Sequence, residues 1–362
     1  MYSRFGKPWW ILICGLVLIL LFTFRMGEMT PSIPRRLYSS MNSSFHRGRR
    51  VYLNAAGLGG EGLGSAMHHF KQSVIFAEAL DSEFILANEY DSEFRYSLSK
   101  ILNGPVFDNQ FLDYDLRNSC RVNDFIKDHE REKLAHGICE GAEWASERLE
   151  ELTSEMMACT NILDTFSHEI TQDLNGCITP WFRSRLLPAP SPTHTLPLLT
   201  YPPQRPIRIG VHIRWGDTSK TFSSTSELLS HEFYGSFAMP NLITALNDLR
   251  ELAGPAGIHV QVAMENAEQR VLDSLPLHTS ELTVLDSRAD DDLDDLRKLS
   301  ESDVLLVGES SWAVMVHMLA PPGLTIVQDG GLGKYSNTTG FGRDVIFWKE
   351  YSIEKVSHGL FK

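Results

Sequence analysis

The chain has 362 residues, is 43% hydrophobic and carries a formal net charge of −13. That length supports one large domain or two of ordinary size. The acidic balance, without a basic patch to release counterions, excludes a nucleic-acid partner.

Taken in order, residues 1–8 read as a short tail. Residues 9–24 are an apolar run from Trp9 to Phe24, about 24 Å long as a helix. This predicts a single N-terminal transmembrane signal-anchor. Trp9 and Trp10 would sit at one interface and Arg25 at the other. No small-x-small cleavage site follows, which separates it from a cleaved signal peptide. Residues 25–50 hold Pro31, Pro34, several serines and Arg47-Gly-Arg-Arg50, the composition of a flexible stem. Asn42-Ser-Ser44 and Asn337-Thr-Thr339 are glycosylation acceptors. Together these features predict a type II protein of the Golgi or ER membrane with a lumenal body. The four cysteines outside the apolar run, Cys120, Cys139, Cys159 and Cys177, suit two disulfides in an oxidising compartment, with three connectivities open.

The body begins as strand, glycine loop, helix, strand: Val51–Asn54, Ala55–Gly64, Ser65–Leu80 and Phe84–Ala87. The loop contains Gly57-Leu-Gly59-Gly-Glu-Gly62, a literal G-x-G-x-x-G, with Glu89 near the end of the next strand. A dinucleotide fingerprint is one reading. The broader one is a set of backbone amides at a helix start that approach an anion. Residues 91–186 read as mostly helical and acidic, and Leu134–Leu152 as a solvated helix without chemistry. Seven prolines between Leu187 and Pro206 mark a linker. It divides an N-terminal lobe, 51–190, from a C-terminal lobe, 205–362.

The second lobe alternates strands and helices: Ile207–Arg214, a helix from Pro240 to Leu252, Ile258–Met264, Thr283–Asp286, Asp303–Gly308, a helix from Ser310 to Leu319, and Thr325–Val327. Such alternation predicts a parallel, doubly wound α/β sheet. In Ile207–Arg214 the period of two places His212 and Arg214 on one side, and Gly216-Asp217 ends the strand. Open α/β sheets bind ligands at that strand edge, and a guanidinium there suits a phosphate. Ser310 and Ser311 open an apolar helix after a buried strand, where hydroxyls and free amides hold phosphate or simply cap the helix. The run Asp290-Asp-Asp-Leu-Asp-Asp295 has two readings: an Asp-x-Asp metal site, as in metal-dependent glycosyltransferases, or an acidic helix start favoured by the dipole.

Three stretches together carry a family resemblance. His212-x-Arg214-x-Gly216-Asp217, then Asp295 with Leu299-Ser-Glu-Ser-Asp303, then Val307-Gly-Glu-Ser-Ser311, resemble the three peptide motifs of the GDP-fucose-dependent fucosyltransferases. That superfamily includes α-1,2, α-1,6 and protein O-fucosyltransferases. Gly62-Leu-Gly-Ser-Ala-Met-His-His69 is similar to the glycine-rich, double-histidine start of the α-1,6 catalytic domain. The resemblance implies a GT-B architecture of two facing Rossmann-like lobes. It implies inverting transfer of fucose from GDP-fucose to a glycan or glycoprotein hydroxyl, with no metal and no cofactor beyond the donor. Position by position, Arg214 would grip the β-phosphate, and His212 and Asp217 would shape the nucleotide site. Asp295 would accept hydrogen bonds from guanine, Ser310 and Ser311 would bind the diphosphate, and Gly64 and Ser65 would approach from the other lobe. Glu227, in Glu227-Leu-Leu-Ser-His231, would be the base for the acceptor hydroxyl. Many relatives have a second arginine where this chain has Trp215, and Glu227 stands several residues further from Asp217 than the family pattern. Two alternatives follow: a non-catalytic relative that binds nucleotide sugar or glycan, and a metal-dependent transferase that uses Asp290–Asp295.

Overall fold

The computed structural model describes residues 50–54, 71–86, 119–164, 174–186, 199–215, 237–264, 267–285, 292–308, 310–320, 322–328 and 343–361. The apolar run 9–24 and the glycosylation acceptors Asn42 and Asn337 lie outside them. Among the described residues no helix is long and apolar enough to cross a membrane.

The described elements are numbered in chain order. The first lobe has β1 (Val51–Asn54), α1 (Lys71–Ala79), β2 (Glu83–Leu86), β3 (Ser119–Arg121), α2 (Asp128–Glu140), α3 (Glu143–Glu155), β4 (Asn161–Asp164) and α4 (Asn175–Leu186). Its strands form one parallel sheet in the order β2-β1-β4-β3. The described part of 91–186 is mostly helical, as its sequence reads, with the two short strands β3 and β4 set among the helices. Leu134–Leu152, though, is no single solvated helix. Gly141, in the left-handed region at φ 69°, closes α2 and lets the chain turn back as α3. The resulting hairpin buries Leu134, Ala135, Ile138, Ala145 and Leu152 against the sheet's core. The disulfides are Cys120–Cys159, which staples β3 to the residue before β4's approach, and Cys139–Cys177, which ties α2 to α4. They span 39 and 38 residues. Loops of that size are each stabilised by about 4 kcal/mol in the chain-entropy account.

The second lobe has β5 (Ile207–Ile213), α5 (Met239–Ala253), β6 (Ile258–Met264), α6 (Gln269–Leu272), β7 (Leu282–Leu285), α7 (Asp292–Ser300), β8 (Val304–Val307), α8 (Ser311–Leu319), β9 (Gly323–Val327), β10 (Arg343–Phe347) and α9 (Ile353–Leu360). All six strands are parallel, in the order β10-β9-β8-β5-β6-β7. The chain winds outward from β5 to β7, crosses back to β8 and winds outward the other way to β10. This is the doubly wound Rossmann order, with its switch point between β5 and β8. The α/β class and the parallel sheet match the reading of the sequence.

Alternation in β5 is realised as burial. Ile207, Ile209, Val211 and Ile213 pack with Leu242, Leu246 and Leu249 of α5 and Val356 and Leu360 of α9. β8 is apolar at every position, as a strand covered on both faces must be. Its other face, with Leu296 and Leu299 of α7 and Val314 and Met318 of α8, belongs to a core that continues into Ile178 and Trp181 of α4. Gly210 of β5 has no room for a side chain: a Cβ there would lie 2.6 Å from Ser302 Oγ. The linker is tied down by Arg205, whose guanidinium forks onto both oxygens of Asp303 at 2.6 and 2.8 Å.

Candidate functional site

The switch point assembles the site. β5 and β8 are paired neighbours, Ile209 against Val304 and Val211 against Leu306. Both therefore end at the same carboxyl edge, the edge at which open α/β sheets form a ligand crevice beside a switch point. His212 and Arg214 arrive there on β5, and Ser310 and Ser311 arrive after β8 at the head of α8. The two pieces touch directly: the His212 and Trp312 rings lie 4.8 Å apart, tilted by 30°.

Three features of the crevice concern bonding capacity. Ser310 occupies the N-cap of α8 in extended geometry, yet its side chain makes no capping bond. The capping reading of Ser310 is thus not realised, and the first amides of α8 take no bond from that hydroxyl. His212 Nδ1 is buried and has no hydrogen-bond partner among the described residues. Burial first, and then the charge of Arg214, push the His212 pKa down to about 4, so the ring is neutral at physiological pH. A neutral imidazole offers one donor and one acceptor nitrogen. Arg214, next on the same side of the strand, adds a guanidinium.

Asp295 lies on α7, which packs beside α8 and against β5 and β6. Its side chain is only 3% exposed, so this carboxylate of the acidic run turns inward. Asp292 and Asp294 fall in the first turn of α7, and Asp290 and Asp291 lie outside the described residues. Among the described residues no three His, Cys, Asp or Glu side chains gather as a metal site would require. Gly64, Ser65, Asp217 and Glu227 also lie outside the described residues.

Two members of the sequence motifs do other work. Asp303 stands at the start of β8, the edge opposite the crevice, where it anchors Arg205 and the backbone amide of Arg208. Trp215 is 2% exposed and belongs to the core on the α5 side. The Arg270 guanidinium lies over its ring at 5.4 Å. An indole at this position fills the core, a role no guanidinium takes cheaply.

Trp312 and Arg183 were missed from sequence. Trp312 directly follows the two serines, and its place in that motif is the signal that would have found it. Arg183, on α4, donates from Nε and Nη2 to the carbonyls of Met318 and Ala320, each at 2.7 Å. It places a cation at the C-terminus of the helix whose N-terminus heads the crevice. Nothing in the local sequence marks it.

No family model matches the chain, and no curated protein does. Solved structures to which it is similar include Arabidopsis thaliana FUT1, as a mutant in complex with GDP, at 11% identity and a TM-score of 0.39. That alignment covers 90% of this chain and 80% of the other. POFUT1 in its apo-form is similar at 11% identity and a TM-score of 0.38, over 84% of this chain and 99% of that one. POFUT1 in complex with GDP is similar at 12% identity and a TM-score of 0.35, over 82% and 98%.

Proposed function

We propose that the chain is a glycosyltransferase of GT-B architecture that passes fucose from GDP-fucose to a hydroxyl of a glycan or glycoprotein. One observation carries the reading. The ring contact between His212 and Trp312 brings the His-x-Arg-x-Gly-Asp stretch and the Gly-Glu-Ser-Ser stretch to one switch-point crevice. These are the stretches whose resemblance points to a GDP-fucose site, and their convergence makes them one site rather than two short coincidences.

The chemistry would run with inversion. An acceptor oxygen forms a bond to fucose C1 as the C1–oxygen bond to the diphosphate breaks, its electron pair leaving on GDP. Arg214 and the α8 amides, with Ser310 and Ser311, would meet the charge that develops there. A donor of that kind is worth about 10²–10³ in rate. Glu227 would take the acceptor proton, adding about 10²–10⁴. His212 and Asp217 shape the nucleotide site, Asp295 meets guanine, and Gly64 and Ser65 close on it from the first lobe. No metal takes part in this scheme. Residues 9–24 would anchor the body in a Golgi or ER membrane.

A binding-only relative is the second reading. Trp215 favours it, because a core indole replaces a second cation beside Arg214.

The test is calorimetric titration of the full-length chain with GDP-fucose in EDTA, with GDP-mannose and UDP-galactose beside it, followed by assay for GDP release with candidate acceptors. Selective binding of GDP sugars is expected. Binding without turnover on any acceptor moves the assignment to the second reading. No binding by folded protein overturns the donor.

A further inference from the structure

His212 and Trp312 belong to different elements, β5 and α8, and meet face on rather than edge to edge. The histidine cannot be held by hydrogen bonds on its Nδ1 side, since that nitrogen has no partner among the described residues. On that side the contact that holds it is the Trp312 ring. Trp312 is half-buried, with one side against the core shared by α7, α8 and β8. An aromatic pair at this separation is stabilised by offset ring contact beyond its buried area.

We propose that Trp312 is a positioning residue, whose indole fixes the plane of the His212 ring so that the unpaired imidazole nitrogen is presented to the ligand beside Arg214 and the head of α8. The ligand's identity rests on the donor reading above; the positioning of one ring by the other does not. The indole also shields the imidazole from water. The charged group that acts on the ring is Arg214, one residue past the end of its strand. β8 and the first turn of α8 carry no charged group, and Glu309 lies outside the described residues. With Arg214 opposing protonation and the indole excluding water, the ring stays neutral and keeps both a donor and an acceptor.

The bland role for Trp312 is core packing alone. A double-mutant cycle separates the two on the full-length chain with H212N, W312M and the pair, plus W312F as the conservative variant. GDP-fucose binding should weaken about two- to tenfold in W312M, the span that an aromatic pair supplies. It should be largely kept in W312F. The double variant should be no weaker than H212N alone, because Trp312 acts through the histidine. In parallel, the His212 ring is titrated by NMR and identified by its loss in H212N. Its midpoint should stay near 4 in W312F and move toward 6.5 in W312M. This second readout needs no donor, so failure of the wild type to bind GDP-fucose sinks the donor reading while the ring contact is still decided. A third needs no Trp312 variant. A protonated imidazole in ring contact quenches an indole, so wild-type fluorescence should show an acid inflection that H212N lacks. Additive losses in the cycle, or a His212 midpoint unmoved by W312M, overturn the proposal; so does an identical fluorescence profile in wild type and H212N.

Discussion

Each sheet has a central pair of strands, β1 and β4 in the first lobe and β5 and β8 in the second, and the crevices at their carboxyl ends are filled in opposite ways. At the first, Asp164 ends β4 and is fully buried. Its Oδ2 accepts from Tyr52 Oη at 2.8 Å, Ser73 Oγ at 2.7 Å and Arg131 Nη2 at 2.6 Å. Burial, with the Asp164 charge beside it, raises the Tyr52 phenol well above its ordinary range and keeps it a donor. At the second, His212 Nδ1 lacks a partner among the described residues and the Ser310 hydroxyl leaves its cap unmade. The lesson is that the carboxyl edge of a central strand pair is not by itself a ligand site. Where the chain bonds its own buried carboxylate three times over, the crevice is architecture; where a buried nitrogen is left without a partner, a ligand has something to complete.

The largest expected effect tests the closed crevice. Asp164→Ala leaves the buried Arg131 guanidinium without its carboxylate, and breaking such a pair costs about 3–5 kcal/mol. Urea unfolding should read that loss, while the folded fraction binds GDP-fucose as before. A variant that keeps its stability and loses the donor would make the first crevice a ligand site and erase the contrast. Next comes the open crevice. Arg214→Ala should lower turnover about 10²–10³-fold, with urea unfolding confirming that the variant is folded. Arg214→Lys should also turn over poorly, since it loses the two-pronged donor. Wild-type turnover in either variant removes Arg214 from the reaction.

The same contrast explains what was legible in the sequence. The second lobe announces itself because its strands are long or wholly apolar: Ile207–Ile213 alternates, Val304–Val307 is a continuous run, and each is followed by a helix of clear period. The candidate residues His212, Arg214, Ser310 and Ser311 fall at the ends of those strands, so reading the strands is what brings them to notice. The first lobe is quieter. β3 is Ser-Cys-Arg and β4 is Asn-Ile-Leu-Asp. Neither is long enough to show a period; β4 is held in register between β1 and β3, and β3 by β4 and the Cys120–Cys159 disulfide. Arg131 reads as one more charge on an acidic helix, since its partner Asp164 lies 33 residues on. β10 and α9 were missed for a related reason: Arg343 opens its strand with a buried guanidinium, which no hydropathy pattern anticipates.

A smaller effect joins the lobes. Arg183→Ala removes two charged hydrogen bonds to the tail of α8. Such bonds contribute about 1.5–3 kcal/mol each at most, and the half-buried guanidinium puts the expected loss at the low end. Urea unfolding should show that loss, with donor affinity changed less than by Arg214→Ala. An equal fall in donor affinity would mean that the first lobe sets the crevice through α8, making the two crevices less independent than their bonding suggests.

The smallest effect is a slope. His317, near the end of α8, is buried with Nδ1 2.9 Å from Thr325 Oγ1. Burial, then the charges of Arg343 and Arg183, push its pKa down to about 3. In the unfolded chain an imidazole titrates near about 6.5. Between those values the unfolded state holds the extra proton, so stability rises with pH across that window and is lost as pH falls through it. Above the unfolded value the group contributes nothing to the slope. His212, pushed down to about 4 at the open crevice, works in the same direction over a narrower range. Urea midpoints at pH 7 and pH 5 should therefore differ in the wild type, and by less in His317→Gln, which keeps a polar partner for Thr325 but takes no proton. GDP-fucose should separate the two histidines further. A ligand bonded to neutral His212 lowers that ring's folded pKa further and so extends its part of the slope below about pH 4, while leaving that of His317 untouched. A slope below about pH 4 that GDP-fucose leaves unchanged in the His317→Gln protein would take His212 out of contact with the ligand and remove the contrast between the two crevices.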